Sequence, residues 1–468
     1  MQSGVTVVIL AAGLGTRMRS RKAKVLHRAG GRTLIEHAVA TACELAPPER
    51  IFVVVGHQAE EVRAAVGTPR IGFIEQREQQ GTGHAVLVGR GALESLGGYL
   101  VIVYGDGPLL RARTLRRLIA KADESANQDG SAGILLSAMM DDATGYGRVI
   151  RDRNGAVACI VEQKAASPEQ LAIREANMGI YSFRSDLFWK HAGEMRPDNP
   201  AREYYLTDMV AILCRAGHSM GAMLIEDARE ALGINTRLEL AEVDRLLRKR
   251  KLRELMLAGV TIEKPETVTI DPDVCIGADS VIGPFTQILG KTRIGQECTV
   301  GACSIVRDSD IGDRVDIGAF TLVGSSRVER DAHIGPYARL RYGNHVEQGV
   351  HIGNFVELKK TRMGAGAKAN HLAYLGDAEI GPRANIGAGT ITCNYDGTHK
   401  HQTTIGKEAF VGSNSTLVAP LEIGHGAYLA AGSVITDPVP SDALALGRAR
   451  QVIKPEWAAK RKKAAKGG

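Results

Sequence analysis

Apolar positions along the chain follow two regimes. Up to about residue 233, uninterrupted apolar runs alternate with stretches of helical spacing. VTVVIL (5–10), IFVVV (51–55), IGFI (71–74) and LVIVY (100–104) have the length and β-branched content of buried strands. Between the first two, Leu34, Ile35, Ala38, Val39, Ala42 and Leu45 mark one helical face. Strand, helix, strand in this order predicts a Rossmann-like α/β domain with a mostly parallel sheet, whose ligands sit in loops at the carboxyl ends of strands. Residues 236–258 carry leucines at helical spacing without Gly or Pro and predict a linker helix, its RKRK run a solvated face.

The second regime begins near residue 270. Aliphatic residues recur every sixth position, as in Ile270, Ile276, Ile282, Ile288, Ile294, Val300 and Val306, and again from Ile405 through Val411, Leu417, Ile423 and Leu429 to Ile435. A period of six suits neither a 3.6-residue helix nor an alternating strand, but it suits a parallel β-helix with one inward aliphatic residue per face. The beat slips around His371: the steps Leu358 to Met363 and Leu375 to Ile380 are five residues long. We expect these deletions to tighten corners and so present the histidine. The domains expected are 1–235, the linker helix 236–258, the β-helix 259–447 and a basic tail 448–468.

Composition refines this. The 468 residues are 44% hydrophobic and only 4% aromatic, with 54 glycines, which favours a repetitive β architecture over a helical one. From Arg448 onward eight Lys/Arg stand against a single Glu, which accounts for the whole formal charge of +7. The rest is near neutral, so a nucleic-acid partner is not expected and the tail reads as a solvated, mobile terminus. No apolar run is long enough to span a bilayer, so no membrane partner is expected. Seven cysteines without paired spacing predict reduced, mostly buried thiols and a cytoplasmic chain. No His-x-x-x-His pair falls at a repeat position, which argues against zinc chemistry.

The first strand runs into LAAGLGTRMRSRKAKVLH, where Gly13 and Gly15 let backbone N–H groups approach a phosphate and Arg17 and Lys24 neutralise it. Asp106 follows the run LVIVY, at the carboxyl end of a strand, and is a candidate oxygen ligand for Mg²⁺.

LAAGLGTRM followed by Lys24 resembles the signature of sugar-nucleotide pyrophosphorylases. EQQGTGHA (78–85), YGDGPL (104–109), TGYGRV (144–149), VEQK (161–164), EANMGIY (175–181) and EYYLTD (203–208) are similar to motifs of the N-acetylglucosamine 1-phosphate uridylyltransferases. That resemblance implies Asn235 as a second metal ligand beside Asp106. It places Leu10, Ala11, Ala12, Gly13, Lys24, Gln76, Gly81, Thr82, Tyr104 and Gly105 around the nucleotide and sugar, and Gly147, Glu162 and Asn177 on the sugar side. The implied chemistry is attack of a sugar phosphate on the α-phosphorus of UTP, with Arg17 and Lys24 as catalytic cations.

The hexapeptide pattern resembles the left-handed β-helix family, which implies roughly nine triangular coils between 270 and 435. RLRYG (339–343), NFVELKK (354–360), KANHLAYLGD (368–377) and NIGAGTITCNYDG (385–397) resemble the acetyltransferase half of bifunctional enzymes that join both activities. Histidine is the side chain best matched to taking a proton from an amine near neutral pH, and the family's matching position is His371. By the same matching Arg341 and Lys359 grip the sugar phosphate, and Tyr374 and Asn385 orient the amino sugar. Ala388, Asn394, Tyr395, Ser413, Ala431 and Arg448 meet acetyl-coenzyme A. The resemblance implies a homotrimer acting on small molecules: UTP, acetyl-CoA, glucosamine 1-phosphate and its N-acetylated product. The residues depart from the family at Ala23, where proline is usual before Lys24, and at Gly107, Tyr342 and Asn370. Ala23 is expected to loosen the loop holding Lys24. The rival readings are a single-activity nucleotidyltransferase with a structural β-helix, and a β-helix scaffold that binds a protein or RNA through the tail.

Overall fold

The computed structural model describes residues 4–199 and 201–466. The chain divides into two compact units between Arg248 and Lys249, inside a helix that spans Arg237–Leu257. The expected linker helix is therefore present, but the division falls within it and not at its ends.

In the first unit the strand Val5–Leu10 lies at the centre of a sheet ordered Met220–Leu224, Gly133–Met139, Glu175–Arg184, Tyr99–Tyr104, Val5–Leu10, Ile51–Val55, Gly72–Glu75. Its side chains alternate between two cores, Val7 and Ile9 on one face and Val8 and Leu10 on the other, which is why the run is apolar throughout. Glu175–Arg184 is antiparallel to both its neighbours, whereas the other pairs along this path are parallel. A helix over Leu34–Cys43 begins at Thr33, whose hydroxyl accepts from the Glu36 N–H while Glu36 accepts from the Thr33 N–H. This reciprocal cap satisfies two of the N–H groups that a helix start leaves open.

The second unit is a three-sided coil. Its strands are two to four residues long and stack into three parallel sheets of eleven, ten and nine strands among the described residues. Ile270 pairs with Ile288, eighteen residues on, and both are buried in one continuous aliphatic core. Each coil satisfies its backbone on the next, so the stacked core and the ladders hold it together.

The coil overturns the expected meaning of the slip near His371. Seventeen-residue coils already occur at Arg293↔Asp310 and Thr299↔Asp316, far from any histidine of interest, so a one-residue deletion is ordinary here. Two other features are distinctive. The adjacent strands His351–Asn354 and Lys368–His371 each run four residues where the others run two or three, and Ala378↔Thr403 and Asn385↔Phe410 step by twenty-five residues around an inserted loop.

All seven cysteines are free, but only Cys298 is buried, and Cys43 and Cys275 are exposed. The tail forms a helix over Trp457–Lys466, exposed across residues 457–465. No helix among the described residues is long and apolar enough to cross a membrane.

Candidate active sites

The carboxyl ends of Val5–Leu10, Gly72–Glu75 and Tyr99–Tyr104 open into one cavity of about 950 Å³. Leu10, Ala11, Ala12, Gly13, Arg17 and Lys24 line it from the first loop, and Gln76, Gly81, Thr82, Tyr104 and Asp106 from the next two. Gly147, Glu162, Asn177 and Asn235 complete the wall. Gly105 does not line it: its N–H is held by the Leu10 carbonyl at 2.9 Å, and a side chain there would meet Ile35 and Ala11. Around Gly13 the space is open, so its backbone can be approached. Gly15 has φ +62°, and a Cβ there would come within 2.7 Å of Lys24 Cβ, so glycine is needed for the loop to close on the lysine.

Charge converges at one point. The Lys24 ammonium pairs with Asp106 Oδ2 and donates to Asn235 Oδ1 at 3.2 Å, and Arg17 Nη2 donates to the same Oδ1 at 2.9 Å. Two oxygens from distant loops therefore meet on one cation. That donor set fits a hard divalent ion, which takes oxygen ligands and completes its shell with water and phosphate. Opposite, burial pushes the Glu162 carboxyl above its ordinary range, partly offset by the Thr207 hydroxyl, which donates at 3.1 Å. Asn177 is fixed at both ends: Nδ2 donates to the Tyr181 hydroxyl at 2.8 Å and Oδ1 accepts from Gly179 N–H at 3.1 Å.

In the second unit the register places the candidates in columns. His351, Lys368, Asn385, Phe410 and Tyr428 pair in sequence along one sheet. The positions three residues further on are Asn354, His371, Ala388, Ser413 and Ala431. His371 Nδ1 lies 2.7 Å from Asn354 Oδ1. A carbonyl oxygen only accepts, so Nδ1 carries the proton and the Nε2 lone pair is free. Beyond His371 follow only small side chains, three coil steps or about 14 Å of trough. Arg448, exposed, lies one residue past the equivalent place in the last coil.

On the next face Lys359 is buried, not solvated, and its ammonium pairs with Asp377 Oδ2 at 3.3 Å. Asn394 Nδ2 donates to the same oxygen. Lys400 approaches Lys359, and the pair's repulsion lowers the Lys400 ammonium. Arg341 reaches Glu357 at 3.3 Å, and Glu357 pairs with Tyr374 across the ladder. Tyr395 is exposed, its hydroxyl donating to the Gly397 carbonyl at 2.5 Å.

Comparison with known proteins agrees with both halves. Residues 7–135 match the MobA-like NTP transferase domain, residues 273–308 the bacterial transferase hexapeptide and residues 402–437 the hexapeptide repeat of succinyl-transferase. The Bifunctional protein GlmU of Solibacter usitatus is 70% identical over 466 residues, covering 100% of this chain and 99% of that protein. Those of Koribacter versatilis and Trichlorobacter lovleyi are 50% and 46% identical; they cover 97% of this chain, and 97% and 98% of their own length. The chain belongs to the GlmU family. As a member of the GlmU family it is a bifunctional transferase that carries out uridylyl and acetyl transfer in UDP-N-acetylglucosamine synthesis, with a left-handed β-helix as its second unit.

Three features of this GlmU-family chain lay outside the sequence reading. Gln58 Oε1 accepts from the Ala23 N–H at 2.5 Å, a bond that proline could not make, so the Lys24 loop is held where it was expected to loosen. Asn354 orients His371, and Asp377 holds Lys359. Only Asn354 left a signal: at its place in the four coils before it stand Pro284, Ala302, Ala319 and Pro336.

Proposed function

We propose that the two activities occupy the two sites just described, with residue roles as follows. In the cavity Asp106 and Asn235 hold Mg²⁺, which when bound neutralises phosphate charge. Leu10, Ala11, Ala12 and Gly13 cradle the nucleotide with their backbone, Gln76, Gly81 and Thr82 surround its base, and Tyr104 lines the floor that Gly105 backs. Gly147, Glu162 and Asn177 receive the sugar. A phosphate oxygen of N-acetylglucosamine 1-phosphate attacks the α-phosphorus of UTP, the α–β bridging bond breaks and pyrophosphate leaves. Arg17 and Lys24 stabilise the charge that develops, so positioning and electrostatics carry the rate. The convergence of both cations on Asn235, with Lys24 also on Asp106, is the observation that supports this most strongly.

In the coil, Arg341 and Lys359 bind the phosphate of glucosamine 1-phosphate, and Tyr374 and Asn385 orient its ring. His371 Nε2 takes a proton from the amine as it attacks the thioester carbonyl, and the thiolate of coenzyme A departs. Ala388, Ser413 and Ala431 form the trough for the extended arm of acetyl-CoA, flanked by Asn394, Tyr395 and Arg448. The support is a histidine with a fixed tautomer at the head of a trough of small side chains.

The enzyme works as a homotrimer in the cytoplasm. A physical counterpart of the trimer is an exposed ridge in which Phe320, Tyr337 and Phe355 stack at 5.0 and 5.4 Å on successive coils, each with positive φ. Bulky residues in that conformation cost backbone strain that a covered ridge would offset. Analytical ultracentrifugation tests it: a monomer overturns the assembly. For the chemistry, pyrophosphate release from UTP and thiol release from acetyl-CoA are measured in wild type, Asp106→Ala and His371→Ala. Each substitution is expected to silence one activity only, and absence of thiol release in wild type would overturn the acetyl-transfer site.

A further inference from the structure

The geometry assigns His84 a part in choosing the base of the nucleotide, through Gln76. Gln76 lies just past the strand Gly72–Glu75, with its N–H on the Val55 carbonyl at 2.8 Å, and its buried side chain lines the cavity. Its Nε2 donates twice, to the Gly81 carbonyl at 3.1 Å and to His84 Nδ1 at 3.1 Å. A backbone carbonyl only accepts, so the amide cannot be turned over without setting Oε1 against the Gly81 oxygen. With both N–H groups engaged, Oε1 is the atom left to the cavity, and no donor among the described residues reaches it. His84 Nδ1 must therefore accept, and its proton sits on Nε2.

Both acceptors are firmly placed. The Gly83 N–H donates to the Tyr204 carbonyl at 2.7 Å and the Leu206 N–H to Thr82 Oγ1 at 3.1 Å, which clamps the turn carrying Gly81 and His84. Gly81 has φ +105°, and a Cβ there would lie 2.5 Å from the Tyr204 oxygen. The result is a fixed acceptor on the cavity wall.

A fixed acceptor discriminates between pyrimidines. Uracil presents an N3–H donor, whereas cytosine presents a bare N3 lone pair that repels an oxygen. An amide free to rotate would offer its NH₂ group to cytosine instead, so the second bond, to His84, sets how strictly the site reads uracil. This inference rests on the reading of Gln76 as a contact to the base, and makes His84 the positioning residue for it.

The test compares kcat/KM for UTP and CTP in pyrophosphate release by the full-length enzyme. His84→Leu removes the acceptor, and the UTP/CTP ratio is expected to fall about tenfold, the worth of one neutral hydrogen bond. His84→Asn keeps an oxygen near the Nδ1 position and is expected to restore the ratio. Gln76→Leu is expected to collapse it. A merely structural role for His84 would lower both nucleotides together and leave the ratio unchanged. An unchanged ratio in His84→Leu with a collapsed one in Gln76→Leu overturns the role of His84 and keeps that of Gln76. An unchanged ratio in Gln76→Leu overturns the contact to the base itself, and the inference with it. Should His84→Leu fail to fold, His84→Met carries the same expectation.

Discussion

Replacing Asn354 with alanine tests whether His371 owes its free Nε2 to its neighbour. The bond is 2.7 Å long, between a half-buried amide and an exposed ring. A neutral hydrogen bond in such a setting contributes about 0.5–1.5 kcal/mol net. Without it the ring turns and both tautomers populate, so that amount is lost from the competent state. At about 1.4 kcal/mol per tenfold, thiol release should slow by roughly two- to twelvefold. Loss of the base itself is a larger effect, about 10²–10⁴-fold in His371→Ala. Pyrophosphate release, which uses residues of the other unit, should not change. Added to His371→Ala, Asn354→Ala should have no further effect, because it acts through a ring no longer present. The assay is kcat/KM for thiol release in the four proteins of that cycle. Additive losses, or a single-mutant loss within experimental error of zero, would refute the orienting role.

Other substitutions probe the packing around both sites. Glu230 is buried, accepts from the Thr114 hydroxyl at 2.6 Å and pairs with Arg111 at 3.1 Å, anchoring the turn that leads to Asn235. Glu230→Ala should cost about 1–3 kcal/mol, the penalty of leaving the buried Thr114 hydroxyl without its acceptor, and raise the Mg²⁺ concentration needed for half-maximal pyrophosphate release; urea melts and Mg²⁺ titrations check both. Glu162 is held above its ordinary value of 4.5, chiefly by burial. Ionisation therefore favours the unfolded chain, with no penalty below pH 4.5 and the full penalty once pH has risen through the folded value. Glu162→Gln should raise the melting temperature of the first unit at pH 7, show no gain at pH 4, and lose pyrophosphate release. Leu375 is fully buried in the coil core, so Leu375→Ala should cost about 2–5 kcal/mol, read by chemical denaturation.

Much of this was legible in the residues. The run VTVVIL announces a strand buried on both faces because every position must be apolar there, and the six-residue beat announces the coil because each face needs one inward aliphatic. Direction was not legible: Glu175–Arg184 has the same apolar pattern whether it lies parallel or antiparallel to its neighbours. Nor were partners that meet only through tertiary packing, such as Glu230 with Thr114, 116 residues apart, or Gln58 with Ala23. Asn354 is an intermediate case. From Pro284 onward its column is otherwise Pro, Ala, Ser or Gly apart from His371, so two adjacent residues with larger polar side chains stood out, but only once the coil length was counted.

The two candidate sites use the same three residue types to opposite ends. In the cavity, Lys24 meets Asp106 and Asn235, and the asparagine turns its oxygen to the ammonium at 3.2 Å. In the coil, Lys359 meets Asp377 at 3.3 Å, and Asn394 turns its NH₂ group to the carboxylate. The first arrangement gathers two oxygens around one positive charge, and the same two oxygens would hold a divalent ion, with Lys24 beside it as a cation for phosphate. The second gathers two donors on one carboxylate. Asp377 then offsets Lys359, and Lys400 beside the pair adds a second positive group on that face. Which way an amide faces thus distinguishes the two proposed sites: its oxygen turns to an ammonium in the first unit and its NH₂ group to a carboxylate in the second.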